Sequence, residues 1–101
     1  SLKSGKIETN LSTNTIADGL KTQLGDINFP IIKKHVERII RVTENEIILS
    51  LRLIWERLKI VCEPSCAVAL AALIREKNEF RNKKIGIIIS GGNVDLSKLP
   101  F

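Results

Sequence analysis

The chain reads as an α/β fold whose sheet is incomplete. Three observations predict it. Two short runs rich in branched aliphatics, Arg38 to Val42 and Ile85 to Ile89, have the composition of strands. Between them a capping-box tetrad opens one helical pattern, and a proline opens a second that is rich in alanine. Another proline-led apolar stretch, ahead of the first run, supplies a third helix. The order helix, strand, two helices, strand is α/β patterning with too few strands. Because an isolated pair of strands is marginal in water, the missing strands are expected from sequence outside these 101 residues.

Taken in order, Lys3 to Asn14 is rich in Ser, Thr, Asn, Lys and Gly without a sustained period, so it reads as an entry loop. Thr15 to Leu20 is a compact segment of small residues, and an irregular stretch runs on to Phe29. Pro30 suits the first turn of a helix with Ile31, Ile32 and Val36 on its apolar side, so a short helix is expected through His35. After the first strand, Thr43 and Glu46 stand in capping-box positions. Ile47, Ile48, Leu51, Ile54, Trp55 and Leu58 then recur at helical spacing on one face, while Asn45, Arg52, Glu56 and Arg57 fall opposite. Ile60 to Cys62 ends or bridges this helix, and Pro64 or Ser65 starts the next. Cys66 to Ile74 is nearly all apolar with small side chains predominating, which predicts a helix buried on most sides. Arg75 to Lys84 is its charged exit toward the second strand.

Composition excludes several classes. At 44% hydrophobic and 27% charged the chain has too many branched aliphatics for a disordered segment. No stretch approaches the roughly 20 apolar residues that cross a bilayer, and the opening residues Ser1 to Lys6 lack the apolar core of a signal peptide. The absence of an initial Met fits a chain cut from a longer precursor. The net charge of +5 raises nucleic acid as a partner. The basic clusters, Lys33 with Lys34 and Arg81 with Lys83 and Lys84, have no interleaved aromatics for base stacking, so solvated faces are the better reading. Cys62 and Cys66 share the chain with one histidine, His35, which is too few ligands for a structural zinc. Two reduced thiols are expected instead, in a cytoplasmic setting where disulfides seldom persist.

The second strand runs straight into Ser90, Gly91, Gly92 and Asn93. In open α/β sheets ligands bind beyond the carboxyl ends of strands, and paired glycines let a ring or phosphate approach backbone without meeting a Cβ. Ser90 places one hydroxyl at that mouth. The neighbouring polar residues have plainer readings. Asp18 and Asp95 suit turn caps, Asn93 tolerates left-handed backbone, and Glu63 before Pro64 suits a helix-start anion.

Three segments in order carry a family likeness: Thr15-Ile16-Ala17-Asp18-Gly19, then Glu63-Pro64-Ser65 leading the alanine-rich helix, then Ser90-Gly91-Gly92-Asn93-Val94-Asp95-Leu96. Together with Val42 to Ile47 they resemble the C-terminal part of pyridoxal-phosphate enzymes of the threonine dehydratase and serine racemase group. The resemblance implies the tryptophan-synthase-β type of fold (fold type II), with a parallel sheet and flanking helices. Residues 1–101 would be the C-terminal part of its larger, cofactor-binding domain. It implies that pyridoxal 5'-phosphate is the cofactor, that Ser90 meets its pyridine nitrogen, and that Gly19, Glu63 and Gly91 lie beside it. In racemase-like members the positions of Lys59 and Asn93 contact a nucleotide effector. The Schiff-base lysine, the phosphate loop and the divalent-cation carboxylates of such enzymes belong to upstream sequence, so no catalytic residue and no metal ligand is assigned within this segment. Cys66 departs from the family pattern, which commonly has glycine or alanine there, and its larger side chain is expected to press on the segment that holds Glu63.

The function so implied is β-elimination from, or α-carbon inversion of, a small hydroxy amino acid such as serine or threonine. The partners would be that substrate, the N-terminal remainder of the enzyme, and further copies in a homodimer or homotetramer, without nucleic acid or membrane. The 101 residues alone are expected to be inactive, since none of their lysines sits in a matching motif. The alternative is a noncatalytic α/β interaction module that binds a partner through exposed apolar faces.

Overall fold

The computed structural model describes residues 1–101 and is helical where it is regular. A single 3-10 turn, Asp18–Leu20, precedes helix α1, Asn28–His35. Helix α2, Glu44–Leu53, continues into a π-helical turn, Ile54–Leu58; helix α3, Pro64–Arg75, and a final 3-10 turn, Leu96–Lys98, follow. No helix is long and apolar enough to cross a membrane.

The helix starts follow their local chemistry. At α2 the Glu46 N–H donates to Thr43 Oγ1 at 3.3 Å, and the Thr43 N–H donates to Glu46 Oε2 at 2.7 Å. The capping box is therefore complete, and two backbone donors that the helix cannot use are satisfied. Pro64 takes the first position of α3, where its missing N–H costs nothing. α1 begins two residues before Pro30, so proline sits within its first turn.

Helices α2 and α3 pack against each other and make the core. Ile47, Leu51, Ile54, Cys62, Cys66 and Ala67 are buried there, with Ile16, Val42 and Trp55 leaning on them. Leu58 leaves the expected stripe and is 58% exposed. The π turn is the cause. One extra residue in the repeat sets later side chains back by about 100°, the rotation of a single residue, so Leu58 misses the face that Ile47, Leu51 and Ile54 share. Lys59 closes the turn in the left-handed region, at φ 58°. The Trp55 indole N–H fixes the exit by donating to the Cys62 carbonyl at 3.0 Å.

Two expectations need correction. The runs Arg38–Val42 and Ile85–Ile89 are irregular and carry no strand ladder. A strand is defined by its hydrogen-bonded neighbour, and no backbone bond joins either run to any other segment. α3 is buried along one stripe, Cys66, Ala67 and Ala71, rather than on most sides; Ala69 and Ile74 are exposed. Its uncovered side faces a shallow apolar cavity of about 360 Å³ shared by Ile40, Leu73, Phe80, Ile85, Ile87 and Ile88. Both departures go together: the two runs and the uncovered side of α3 border the same open apolar cavity.

Candidate functional site

The Ser90–Asn93 segment, expected as a tight turn, is irregular and has no turn hydrogen bond of its own; it lies against the start of α3 and is tied there through backbone and thiol. The Glu63 N–H donates to the Gly91 carbonyl at 3.1 Å. The Cys66 thiol donates to that same carbonyl at 3.1 Å, and the Gly91 N–H donates back to Cys66 Sγ at 3.1 Å. A further 3.5 Å separates Cys66 Sγ from Ser90 Oγ. Cys66 is 2% exposed, while Gly91 is half-buried and Ser90 is exposed, so the thiol end of these bonds is shielded and the serine end is open. The side chain at the departure from the family pattern is accommodated by bonding to the turn.

The glycines of the turn are there for space. A Cβ at Gly91 would stand 2.7 Å from Glu63 Oε1, and one at Gly92 would stand 2.7 Å from the Val61 carbonyl oxygen. Neither has a positive φ, so close approach and not conformational freedom selects glycine. Glu63 makes no side-chain cap to α3, which corrects its reading as a helix-start anion. Its carboxylate is turned toward Gly91 instead. Asn93 likewise does not use the left-handed region. Asp95 does cap the following turn, accepting from the Ser97 N–H at 2.9 Å. Both hydrogen bonds from Ser97 hold the Asp95 carboxyl below its ordinary range.

Gly19 reaches the same helix start. Its N–H donates to Ser65 Oγ at 2.9 Å, and a Cβ there would also stand 2.9 Å from that oxygen. The structure therefore gathers Ser90 and Gly91 from one segment, Gly19 from a second and Glu63 from the residue preceding α3. Ser65 and Cys66 are the fasteners, and sequence reasoning does not mark either as a site residue; the signal for both is their place directly after Glu63-Pro64. Asn93 lines an adjoining polar cavity of about 420 Å³ with Glu63, Ser65, Thr15, Lys21 and Lys98. Lys59, at the end of the π turn, is not among its lining residues. No group of three or more His, Cys, Asp and Glu side chains is placed to hold a metal ion. Cys62 and Cys66 are both free thiols, and burial pushes the Cys62 thiol above its ordinary pKa.

The segment that carries Gly19 is anchored by Glu44. Its Oε2 accepts from the Ile16 N–H at 2.9 Å, and Ala17, next in sequence, is fully buried. That backbone bond first, and the Thr15 hydroxyl second, hold the Glu44 carboxyl below its ordinary value. A carboxylate with a lowered pKa in the folded state stabilises the fold above its unfolded pKa, and the contribution is lost as pH falls through the folded value. The full-length protein is expected to lose urea resistance on acidification through and below the carboxylate range, and Glu44→Gln to flatten that acid limb. Parallel pH profiles for the two proteins would show that Glu44 does not anchor the segment.

Comparison with known proteins then places the chain. The family model described as pyridoxal-phosphate dependent enzyme matches residues 1–91. A serine racemase of Dictyostelium discoideum is 52% identical over 98% of the chain and 32% of its own length. A beta-hydroxyaspartate dehydratase of Paracoccus denitrificans (strain Pd 1222) is 43% identical over 100% of the chain and 32% of its own length. The solved structure of maize serine racemase superposes with a TM-score of 0.87 at 43% identity, covering 96% of this chain and 32% of that one. The chain thus spans about a third of the length of the curated relatives it matches.

Proposed function

From the premise that this chain belongs to the pyridoxal-phosphate dependent enzyme family, we propose that residues 1–101 are the C-terminal part of the cofactor-binding domain of an enzyme acting on small β-hydroxy amino acids. The reaction is loss of water and ammonia to give an oxoacid, or inversion at the α-carbon. Serine racemase and beta-hydroxyaspartate dehydratase, the names its relatives carry, are the two outcomes of that chemistry. The bare runs Arg38–Val42 and Ile85–Ile89 are strands of a parallel sheet whose other members come from the rest of the enzyme. The apolar cavity between them and α3 supports this, being a surface that a sheet would fill. The full-length enzyme is cytoplasmic and works as a homodimer or homotetramer.

The single observation that carries the reading is the setting of Ser90. Its hydroxyl is at the exposed end of a run of branched aliphatics, and no charged side chain bonds to it. A flat aromatic ring with an acceptor nitrogen fits such a donor. The bound cofactor supplies the electron sink for bonds broken at the substrate α-carbon. Ser90, being neutral, would hold the ring nitrogen through a hydrogen bond without supplying a charge that favours its protonation, a setting that would suit loss of a β-hydroxyl. Gly19 and Gly91 would lie beside the ring, and their missing Cβ atoms let the Ser65 hydroxyl and the Glu63 carboxylate close in at the start of α3. Lys59 and Asn93 are assigned to a nucleotide effector; the polar cavity supports Asn93 alone, since Lys59 does not line it.

The experiment is to offer L-serine, L-threonine and 3-hydroxyaspartate to the full-length protein loaded with pyridoxal phosphate. Oxoacid with ammonia, or the epimeric amino acid, is expected from at least one of them. No turnover of any at full cofactor occupancy would reject the assignment.

A further inference from the structure

We propose that the Cys66 thiol is a positioning residue for Ser90, clamping the turn through both backbone groups of Gly91 and setting the direction of the Ser90 hydroxyl. The inference rests on the reading of Ser90 as the residue that meets the cofactor ring.

The thiol has one proton and three polar neighbours: the Gly91 carbonyl at 3.1 Å, the Gly91 N–H at 3.1 Å and Ser90 Oγ at 3.5 Å. The N–H always donates to sulfur. The thiol proton therefore goes either to the Gly91 carbonyl or to Ser90 Oγ, and the choice decides what the serine can do. With the proton on the carbonyl side, sulfur is an acceptor toward Ser90, and the serine proton is drawn inward. With the proton turned to Ser90 Oγ, the serine lone pair is occupied and its own proton is directed away from Cys66, toward an outside acceptor. The Gly91 carbonyl bears this exchange without being left bare, because the Glu63 N–H also donates to it at 3.1 Å. A ring nitrogen at Ser90 would stabilise the second arrangement, because the outward serine proton then has an acceptor and the two hydrogen bonds polarise one another. Glycine or alanine at position 66 has no proton to turn. Cys62, also buried, bonds to neither Ser90 nor Gly91 and serves as the internal control.

The test uses the full-length enzyme, with cofactor affinity read by titrating the cofactor-free form with pyridoxal phosphate. Cys66→Ala is expected to raise the cofactor Kd roughly three- to tenfold, the scale of one hydrogen bond. Cys66→Ser, which keeps a turnable proton, should return to within about twofold of wild type, and Cys62→Ala should stay within about twofold even where it lowers stability. In a Ser90→Ala background Cys66→Ala should add nothing. The infrared S–H stretching bands give a second reading that does not depend on the alanine variant folding. The band assigned to Cys66 by its loss in Cys66→Ser should shift when the cofactor binds, and that of Cys62 should not.

An unmoved Cys66 band overturns the inference, as does a Cys66→Ala Kd no different from that of Cys62→Ala. So does an effect of Cys66→Ala that persists undiminished without the Ser90 hydroxyl. If Ser90→Ala alone weakens the cofactor and Cys66→Ala does not, only the inference fails. If Ser90→Ala leaves affinity unchanged, the reading of Ser90 fails and takes the inference with it.

Discussion

Gly92→Ala is expected to disrupt the turn and the core behind it together. The added Cβ would stand 2.7 Å from the Val61 carbonyl oxygen and 3.9 Å from the Cys62 Cα. These are backbone atoms, which cannot swing aside as the end of a side chain can. Val61 leads directly into Cys62, which is fully buried and whose carbonyl receives the Trp55 indole bond at 3.0 Å. Relief of the clash must therefore come from moving the turn off α3 or from moving the π turn's exit, and either breaks contacts in the core. Overpacking of this kind costs about 1–3 kcal/mol, with lost hydrogen bonds in addition. That is a substantial part of the roughly 5–15 kcal/mol by which domains are stable.

Two other glycines calibrate the result. A methyl group added at Gly25 would meet nothing within 4 Å, and Gly25 has no positive φ, so Gly25→Ala should be neutral or slightly stabilising. At Gly91 the nearest atom is the carboxylate end of Glu63, which is flexible, so Gly91→Ala should be intermediate. Urea unfolding of the three full-length variants checks the ranking, and Gly92→Ala unfolding at the same midpoint as Gly25→Ala would contradict this packing.

Much of this arrangement is written in short-range sequence. The capping box at Thr43 and Glu46 and the proline-led start of α3 each depend on neighbours a few residues apart, and each stands where those neighbours put it; the small-residue segment after Ile89 is expected as a tight turn and is irregular instead, held by α3 and not by its own backbone. The three segments that resemble the family also mark the places that meet at the start of α3. What is not legible depends on partners far along the chain. A run such as Ile85–Ile89 has strand composition, but a ladder is made by another segment, and none in this chain pairs with it. The π turn rests on one inserted residue, a difference the apolar spacing of Ile54 and Leu58 does not register. Gly19 finds Ser65 across 46 residues, and Cys66 finds Gly91 across 25. Cys66 reads as a misfit when only its size is visible; its two-way bonding to Gly91 requires the turn to be in place.

The second large effect concerns Ser90 itself. A neutral hydroxyl against the ring nitrogen contributes about 0.5–1.5 kcal/mol, so Ser90→Ala should weaken cofactor retention several-fold and lower kcat while leaving the fold intact. Ser90→Asp should act in a different direction. A carboxylate favours the protonated form of a nearby nitrogen, so the ring becomes a stronger sink and holds negative charge from the α-carbon for longer. Return of a proton to that carbon then gains on departure of the β-hydroxyl. The ratio of α-proton exchange to β-elimination, measured in deuterated water for wild type, Ser90→Ala and Ser90→Asp at equal cofactor occupancy, reads this most directly. A raised ratio is expected in Ser90→Asp alongside weakened cofactor binding in Ser90→Ala. An unchanged ratio in Ser90→Asp, with normal cofactor affinity in Ser90→Ala, would contradict it.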